Sequence, residues 1–306
     1  MSTPEPDRSF IAVKTGVPGS IADQEDPMTS RPSASSLQRS AHGAADRATN
    51  NKGFEYTARI GFAASGVLHL LIAYIIGRLA FVGGSGGNAD QSGALATLGS
   101  QTGGAIMLWV VAVGLVALGL WRLAEAVMGS KPNEAGRGDN PAWKRGKSVG
   151  MAVVNFAIAF SAAQFAMGSG QSNSRQNSGI SAQLMQSGWG KALLLAVGAG
   201  VVAVGAYHVY KGISQKFLDE LQVSGGTGIT AAGVVGYVAK GLVLGGAGLL
   251  VVIATLQADP SKASGIDAAV KTLAAAPFGK FLLVAAAVGI AAFGVYSFIR
   301  SRYNRM

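Results

Sequence analysis

Six long apolar stretches follow one another along the chain after a polar N-terminal region. They cover about 60–82, 104–127, 149–168, 190–210, 232–257 and 278–299. Each approaches the roughly 20 helical residues that cross about 30 Å of hydrocarbon. The stretches are continuously apolar and lack the period-two alternation of an outer-membrane barrel. Because a helix satisfies its own backbone polar groups in lipid, the pattern predicts six transmembrane helices.

An internal repeat groups these six stretches into three pairs. The dipeptides Ser92-Gly93, Ser178-Gly179 and Ser264-Gly265 recur at intervals of 86 residues. A second motif follows each dipeptide. It consists of a glycine, four residues, a second glycine, one further residue and an aromatic residue. Its members are Gly114, Gly119 and Trp121; Gly200, Gly205 and Tyr207; and Gly289, Gly294 and Tyr296. Landmarks that recur in the same order predict three copies of a two-helix hairpin.

The hairpins differ in how well their openings are preserved. Gly61 and Gly66 of the first copy return as Gly236 and Gly241 of the third. In the middle copy the opening is reduced to Gly146 and Met151. The predicted division of the chain is a tail over 1–57 and repeats over 58–130, 144–212 and 232–304.

A hairpin contains an even number of spans, so each repeat enters the membrane with the same orientation. We therefore expect an all-α polytopic membrane protein, with six transmembrane helices arranged as three parallel helix-hairpin repeats with rough pseudo-threefold symmetry. The motif glycines are expected at contacts between helices, because small residues let helix backbones approach closely in lipid. Residues 1–57 are rich in polar, charged and proline residues and predict a disordered tail.

Charge predicts the orientation. The chain has 25 Lys and Arg against 15 Asp and Glu, a net charge of +10. Five basic residues lie in the connection 128–148, whereas the connection 83–103 has none. The positive-inside rule then places both termini in the cytoplasm of a plasma (inner) membrane. The basic residues are scattered over four segments, which favours membrane lipid over nucleic acid as a partner.

A few polar residues lie within the apolar stretches, where polar groups are costly and often functional. The candidate intramembrane polar site consists of His69, Arg78, Asn155 and Gln164. For His69 two interpretations stay open: a hydrogen bond between helices, or a role in binding a ligand, a proton or lipid.

Other polar and aromatic residues have structural interpretations. Arg122 and Glu125 are three residues apart and form a natural local ion pair, while Lys211 suits a helix C-terminus. Lys240 lies near the start of the fifth stretch. The aromatic pairs Trp189 with Tyr207 and Phe278 with Tyr296 are eighteen residues apart, about 27 Å along a helix. That spacing predicts aromatic belts at the two membrane interfaces.

Several classes of site are excluded or unsupported. The chain has no cysteine, which excludes disulfides, Cys-ligated zinc and Cys-ligated iron–sulfur clusters. The three histidines lie at different depths, so neither a bis-histidine haem nor a metal cluster is expected. No set of residues suggests nucleophilic or acid–base catalysis, and the sequence predicts neither an enzyme nor a cofactor.

The sequence also resembles a known family. The residues that carry the resemblance are Ala58-Arg59-x-Gly61-Phe62, Trp121-Arg122-Leu123-Ala124-Glu125 and Tyr207-His208-Val209-Tyr210-Lys211. They are similar to those of the bacterial membrane proteins grouped as domain of unknown function 1206, over residues 58–304. The resemblance implies three tandem two-helix units. It implies no activity, substrate or catalytic residue.

We therefore expect an integral membrane protein that is not an enzyme. Its bundle would bind or organise lipid, a protein partner or further copies of itself. The alternative is a small channel or transporter along the pseudo-threefold axis, gated by the segments that follow the Ser-Gly dipeptides.

Overall fold

The computed structural model describes residues 52–83, 87–128, 141–223 and 226–304. Residues 1–51 of the predicted tail lie outside these ranges, and α1 begins at Lys52. The α-helices in the described ranges are α1 Lys52–Val82, α2 Gln91–Gly99, α3 Gly104–Met128, α4 Pro141–Ala166, α5 Asn173–Leu184, α6 Gly188–Ile213, α7 Thr227–Gln257, α8 Ile266–Ala275 and α9 Gly279–Tyr303.

Six of these helices, α1, α3, α4, α6, α7 and α9, are long and apolar enough to cross a membrane. The predicted all-α fold with six spanning helices is therefore confirmed. In the described ranges the β-type pairing is an isolated antiparallel bridge between Leu221 and Asn304. Each repeat is a long helix, a short helix and a second long helix.

The long helices follow a cyclic order that relates the three repeats. The second long helix of each repeat packs on the first long helix of the next: α3 on α4, α6 on α7, and α9 on α1. Within repeats, α1 packs on α3 and α7 packs on α9, but α4 and α6 do not pack along each other. The bundle thus has pseudo-threefold symmetry with one hairpin open.

The second glycine of each motif forms the contact between repeats. Gly119 faces the Phe156 ring of α4, Gly205 faces the backbone of α7, and Gly294 faces Leu70 of α1. A Cβ atom on Gly205 would lie 2.6 Å from the carbonyl oxygen of Gly241. This distance is shorter than a Cβ atom and a carbonyl oxygen can approach, so only glycine fits here without a shift of the two helices.

The first glycine of each motif faces its own hairpin partner, with one exception. Gly114 packs on the backbone of Gly61 in α1, and Gly289 packs on Ala239 in α7. A Cβ atom on Gly200 would have no neighbour within 4 Å. Gly200 departs from the predicted packing because α4, the helix that would cover it, lies apart from α6.

These contacts fix the register of the repeats. The residues that meet the second glycines are Leu70, Phe156 and Gly245. They are separated by 86 and 89 residues, as are Gly119, Gly205 and Gly294. By this register Gly66 and Gly241 correspond to Ala152, which is fully buried, rather than to Met151.

The three short helices lie together at one end of the bundle, which we call the cap end. Asp90, the N-cap of α2, accepts hydrogen bonds from the backbone N–H of Gly93 at 3.1 Å and from the Ser92 hydroxyl at 2.6 Å. The Ser174 hydroxyl of α5 donates to the same carboxylate at 3.3 Å. Asp267 of α8 accepts from the backbone N–H of Ala89 at 2.9 Å. This network ties the three repeats together and uses the serine of the first Ser-Gly dipeptide.

The packing of the motif glycines predicts different effects for the same substitution at Gly205 and at Gly200. Both alanine variants gain helix propensity equally, but Gly205→Ala introduces a clash with α7. We expect Gly205→Ala to lower the free energy of unfolding by about 2 kcal/mol and Gly200→Ala to leave it unchanged or raised. Unfolding by SDS in mixed micelles, followed by circular dichroism, measures both. Equal stability of the two variants would contradict the assigned packing.

Candidate functional site

Charged side chains from equivalent repeat positions meet at the end of the bundle opposite the cap end, which we call the basic end. Glu125, Lys211 and Arg300 each stand four residues after the motif aromatic. Lys211 and Arg300 are buried. Glu220, in the 3-10 turn Leu218–Glu220, pairs with Lys211 Nζ at 2.5 Å and with Arg300 at 3.1 Å. We call these four residues the charge cluster.

The electrostatics of Glu220 explain how the charge cluster holds α6 and α9 together. Burial alone would raise the pKa of Glu220. The positive charges of Arg300 and Lys211 outweigh that effect and hold the pKa below its ordinary value. The carboxylate is therefore ionised at neutral pH and bridges two cations that would otherwise repel each other.

Aromatic rings pack beside the charge cluster. The Phe217 ring stacks on Tyr237 with centroids 5.4 Å apart, and Tyr296 meets Phe217 edge-on at 5.2 Å. The Tyr296 hydroxyl donates to the Phe217 carbonyl at 3.0 Å, and Lys211 donates to the Tyr237 hydroxyl at 3.1 Å. Sequence reasoning places Tyr296 in an interfacial belt, and this is wrong: its side chain is fully buried, because its ring and hydroxyl are used to anchor the turn.

Lys240 lies deeper in the bundle, near the middle of α7, because α7 begins at Thr227 rather than at 232. Its Nζ atom is 4.0 Å from the centre of the Phe293 ring, and the His69 ring is 4.7 Å from the same ring. His69 Nδ1 donates to the carbonyl of Ser65 at 2.6 Å. Within the described ranges no carboxylate forms an ion pair with Lys240. A membrane-spanning helix thus carries a lysine for which the described residues provide no counter-charge.

His208 connects Lys240 with the charge cluster. Its ring lies 5.8 Å from the Tyr237 ring, and its Nδ1 donates to the Val204 carbonyl at 2.8 Å. Lys147, Lys211 and Lys240 all lie near enough for their charges to act on the ring. We call Ser65, His69, His208 and Lys240 the Lys240 site.

Lys147 extends this basic region to α4. Its Nζ donates to the Tyr207 hydroxyl of α6 at 3.5 Å and lies 5.5 Å from the Tyr207 ring centre. Cations outnumber carboxylates around the charge cluster. The cations Arg122, Lys147, Lys211 and Arg300, with the deeper Lys240, stand against the carboxylates of Glu125, Asp219 and Glu220. The surplus of positive charge suits an anionic group such as a phosphate or carboxylate.

The four polar residues of the predicted intramembrane site do not converge. His69 belongs to the Lys240 site. Arg78 is exposed near the cap end of α1. Asn155 donates to the carbonyl of Met151 in its own helix at 2.9 Å, and Gln164 is half-buried in the cap half of α4.

The repeat itself carries the signal that identifies the charge cluster. Arg122 and Glu125 do form the local ion pair that their spacing indicates, at 2.7 Å. The local ion pair does not show, however, that Glu125 occupies the same position in its repeat as Lys211 and Arg300 occupy in theirs. Glu220 has no such signal, because it lies in a turn outside the repeated motif.

Comparison with known proteins gives the family. The model of the Domain of Unknown Function (DUF1206) matches three tandem segments, residues 60–129, 147–215 and 235–304. The chain belongs to the DUF1206 family. Glu125, Lys211 and Arg300 fall one in each DUF1206 segment, close to its C-terminal end.

A curated relative covers most of the chain. The uncharacterized protein YxxB of Bacillus subtilis (strain 168) is 28% identical over 260 residues, which are 81% of this chain and 90% of that protein. No solved structure matches. In the part of the chain that the structure describes, no group of His, Asp and Glu side chains could hold a metal ion.

The geometry predicts that the charge cluster depends on Glu220. In Glu220→Gln, Lys211 and Arg300 lose their shared counter-charge in a buried place. We expect the free energy of unfolding to fall by about 3 kcal/mol, as for one partner removed from a buried ion pair. Asp219→Asn is the matched control, because Asp219 is the exposed neighbour. A similar loss in both variants would show that the turn, and not the charge cluster, is what matters.

The depressed pKa of Glu220 also predicts a pH dependence. A carboxylate whose folded-state pKa lies below its ordinary value of 4.5 stabilises the fold above that value, and this stabilisation is lost as pH falls through the folded pKa. We expect the stability difference between wild type and Glu220→Gln to be constant at neutral pH and to shrink below about pH 4.5. Unfolding titrations of both proteins from pH 7 to pH 3 measure it. A difference that stays constant down to pH 3 would show that folding does not lower the pKa of Glu220, and would contradict its pairing with Lys211 and Arg300.

Proposed function

We propose that this protein is a non-enzymatic bundle of the plasma (inner) membrane that binds anionic phospholipid at its basic end. Lys240 is the observation that carries the proposal. An ammonium group inside a membrane-spanning helix is costly without a counter-charge, and no described carboxylate pairs with it. The phosphate of a bound lipid supplies that counter-charge, and both Lys147 and Lys240 lie close enough to His208 for their charges to act on its ring.

The orientation favours the leaflet in which such a lipid is found. The positive-inside rule places both termini, and with them the basic end, on the cytoplasmic side. The cytoplasmic leaflet carries a negative surface potential from its anionic lipids. The surplus of cations at the basic end is thus complementary to the surface that it faces.

Binding accounts for the arrangement better than catalysis does. Lys211 and Arg300 are both held by Glu220, and Lys147 contacts the hydroxyl and ring of Tyr207. Lys211 and Arg300 are thus balanced by Glu220, and Lys147 and Lys240 are cations for which the described ranges show no ion pair with a carboxylate. A membrane scaffold, with a protein partner or a second copy, is compatible with the same site and stays a prediction.

Packing at the cap end disfavours the alternative of a channel along the pseudo-threefold axis. Ile76 of α1, Leu95 of α2 and Val270 of α8 are fully or almost fully buried in one apolar cluster, which also takes in side chains of α3, α4 and α9. A continuous polar pathway would have to cross this cluster. The packing therefore supports a bundle that binds from the basic end.

Lipid retention tests the proposal. The protein is exchanged into mixed micelles of phosphatidylglycerol and phosphatidylcholine, and the retained lipid is counted by native mass spectrometry. We expect the wild type to retain phosphatidylglycerol preferentially. Lys240→Gln should weaken that retention about tenfold, as expected when one charge-assisted contact is lost.

Lys191→Gln is the matched control, since Lys191 is an exposed lysine at the cap end of α6. The proposal fails if the wild type retains both lipids equally, or if the Lys191 and Lys240 variants lose the same amount. Flux of an ion or solute through reconstituted protein that is abolished by His69→Ala would favour the channel instead.

A further inference from the structure

We propose that one acyl chain of the phospholipid lies in the cleft between α4 and α6, with its headgroup at Lys147, His208 and Lys240. This inference rests on the proposed function and names the place where the lipid enters the bundle. Its starting point is the open hairpin. In the first and third repeats the two long helices pack together, whereas in the second they do not.

The walls of the cleft are α4 and α6, and both carry glycines. In the first and third repeats the equivalent positions pack against the partner helix of the same hairpin. The register places Gly146 and Gly150 of α4 at the positions of Ile60 and Ala64 in α1. The same positions in α7 are Val235 and Ala239, and Ala239 packs on Gly289. A Cβ atom on Gly146, Gly150 or Gly200 would meet no atom within 4 Å. The walls thus retain surfaces suited to close approach, although α4 and α6 lie apart.

Apolar side chains continue these walls. Val154 follows Gly150 by four residues, and Val204 follows Gly200 by four, so each valine shares a helix face with its glycine. The two valines are 57% and 49% exposed. A narrow surface of glycine and valine fits a flexible hydrocarbon chain, which needs contact along its length but no hydrogen bonds.

The basic end of the cleft is polar and positively charged. Lys147 reaches from α4 to the Tyr207 hydroxyl of α6 at 3.5 Å, so it lies across the mouth of the cleft. His208 is the next residue of α6, and the charges of Lys147, Lys211 and Lys240 all act on it. An apolar slot that ends in lysines matches a ligand with an apolar chain and an anionic head.

Charge also decides between a lipid and a second copy of the chain as the occupant. A helix from a second copy would bring the same surplus of cations to the mouth of the cleft. Like charges in a low-dielectric setting repel each other strongly. An anionic lipid neutralises them instead, and it can reach α4 and α6 from the hydrocarbon, because both spans leave most of their apolar window unburied.

Filling the cleft tests the inference. Gly200→Trp places a large ring between α4 and α6, while Gly77→Trp places the same ring in open space on α1. We expect Gly200→Trp to reduce retained phosphatidylglycerol at least fivefold in mixed micelles and Gly77→Trp to leave it unchanged. Neither position has an atom within 4 Å of its Cβ, so both variants should fold.

The outcomes separate the inference from the proposed function. If Lys240→Gln loses phosphatidylglycerol but Gly200→Trp retains it, the lipid binds outside the cleft and the inference is wrong while the proposed function stands. If the wild type shows no preference for phosphatidylglycerol, the proposed function itself fails. If Gly200→Trp converts a dimer to a monomer, the occupant is a second copy, which overturns the inference.

A cross-link provides a second measurement. The chain has no cysteine, so Gly150→Cys with Gly200→Cys gives a single reactive pair on the two walls. A disulfide requires Cα atoms within about 7 Å. We expect oxidation in phosphatidylglycerol vesicles to leave the pair unlinked, because α4 and α6 lie apart and leave room for the acyl chain. Complete cross-linking in those vesicles would show a closed hairpin and overturn the inference.

Discussion

Close contact between consecutive repeats is the constraint on which this structure depends. In hydrocarbon, helices gain little from burying apolar side chains, so association relies on packing at short range. Gly119, Gly205 and Gly294 provide it, each at the face where one repeat meets the next. Because these contacts run in a cycle, they bring the residues four positions after the motif aromatics to one place. The charge cluster is a consequence of glycine packing in the helices that carry it.

The charge cluster in turn limits what the bundle can do. Lys211 and Arg300 are buried and tolerable only because Glu220 pairs with both, and the aromatic group around Phe217 holds that turn in position. Lys240 has no comparable partner within the described ranges. Lys211 and Arg300 are balanced by a carboxylate and have a structural role. Lys240 is not balanced in this way, and it is therefore the residue that can bind an anionic ligand.

Periodicity and repetition predict the features that every repeat shares. Six spans, three hairpins and the interface role of Gly119, Gly205 and Gly294 all follow from patterns that recur along the chain. Features belonging to one repeat leave no such trace. Gly200 keeps its motif position although no helix packs on it. Glu220 lies in a turn outside the motif. The spacing of Tyr296 suggests an interfacial residue, although the turn at Phe217 covers its side chain. These depend on tertiary packing, which a local pattern does not encode.

The departures from symmetry explain why a threefold bundle would carry one site. Three equivalent repeats would present either three identical clefts or none. Here the position of Ser65 in α1 is Met151 in α4 and Lys240 in α7, so only the third repeat contributes a cation at that depth. The hairpin of the second repeat is the open one, and its second helix, α6, packs directly on α7. The open hairpin and Lys240 therefore lie at adjacent places in the cycle, where an amphipathic ligand can reach both at once.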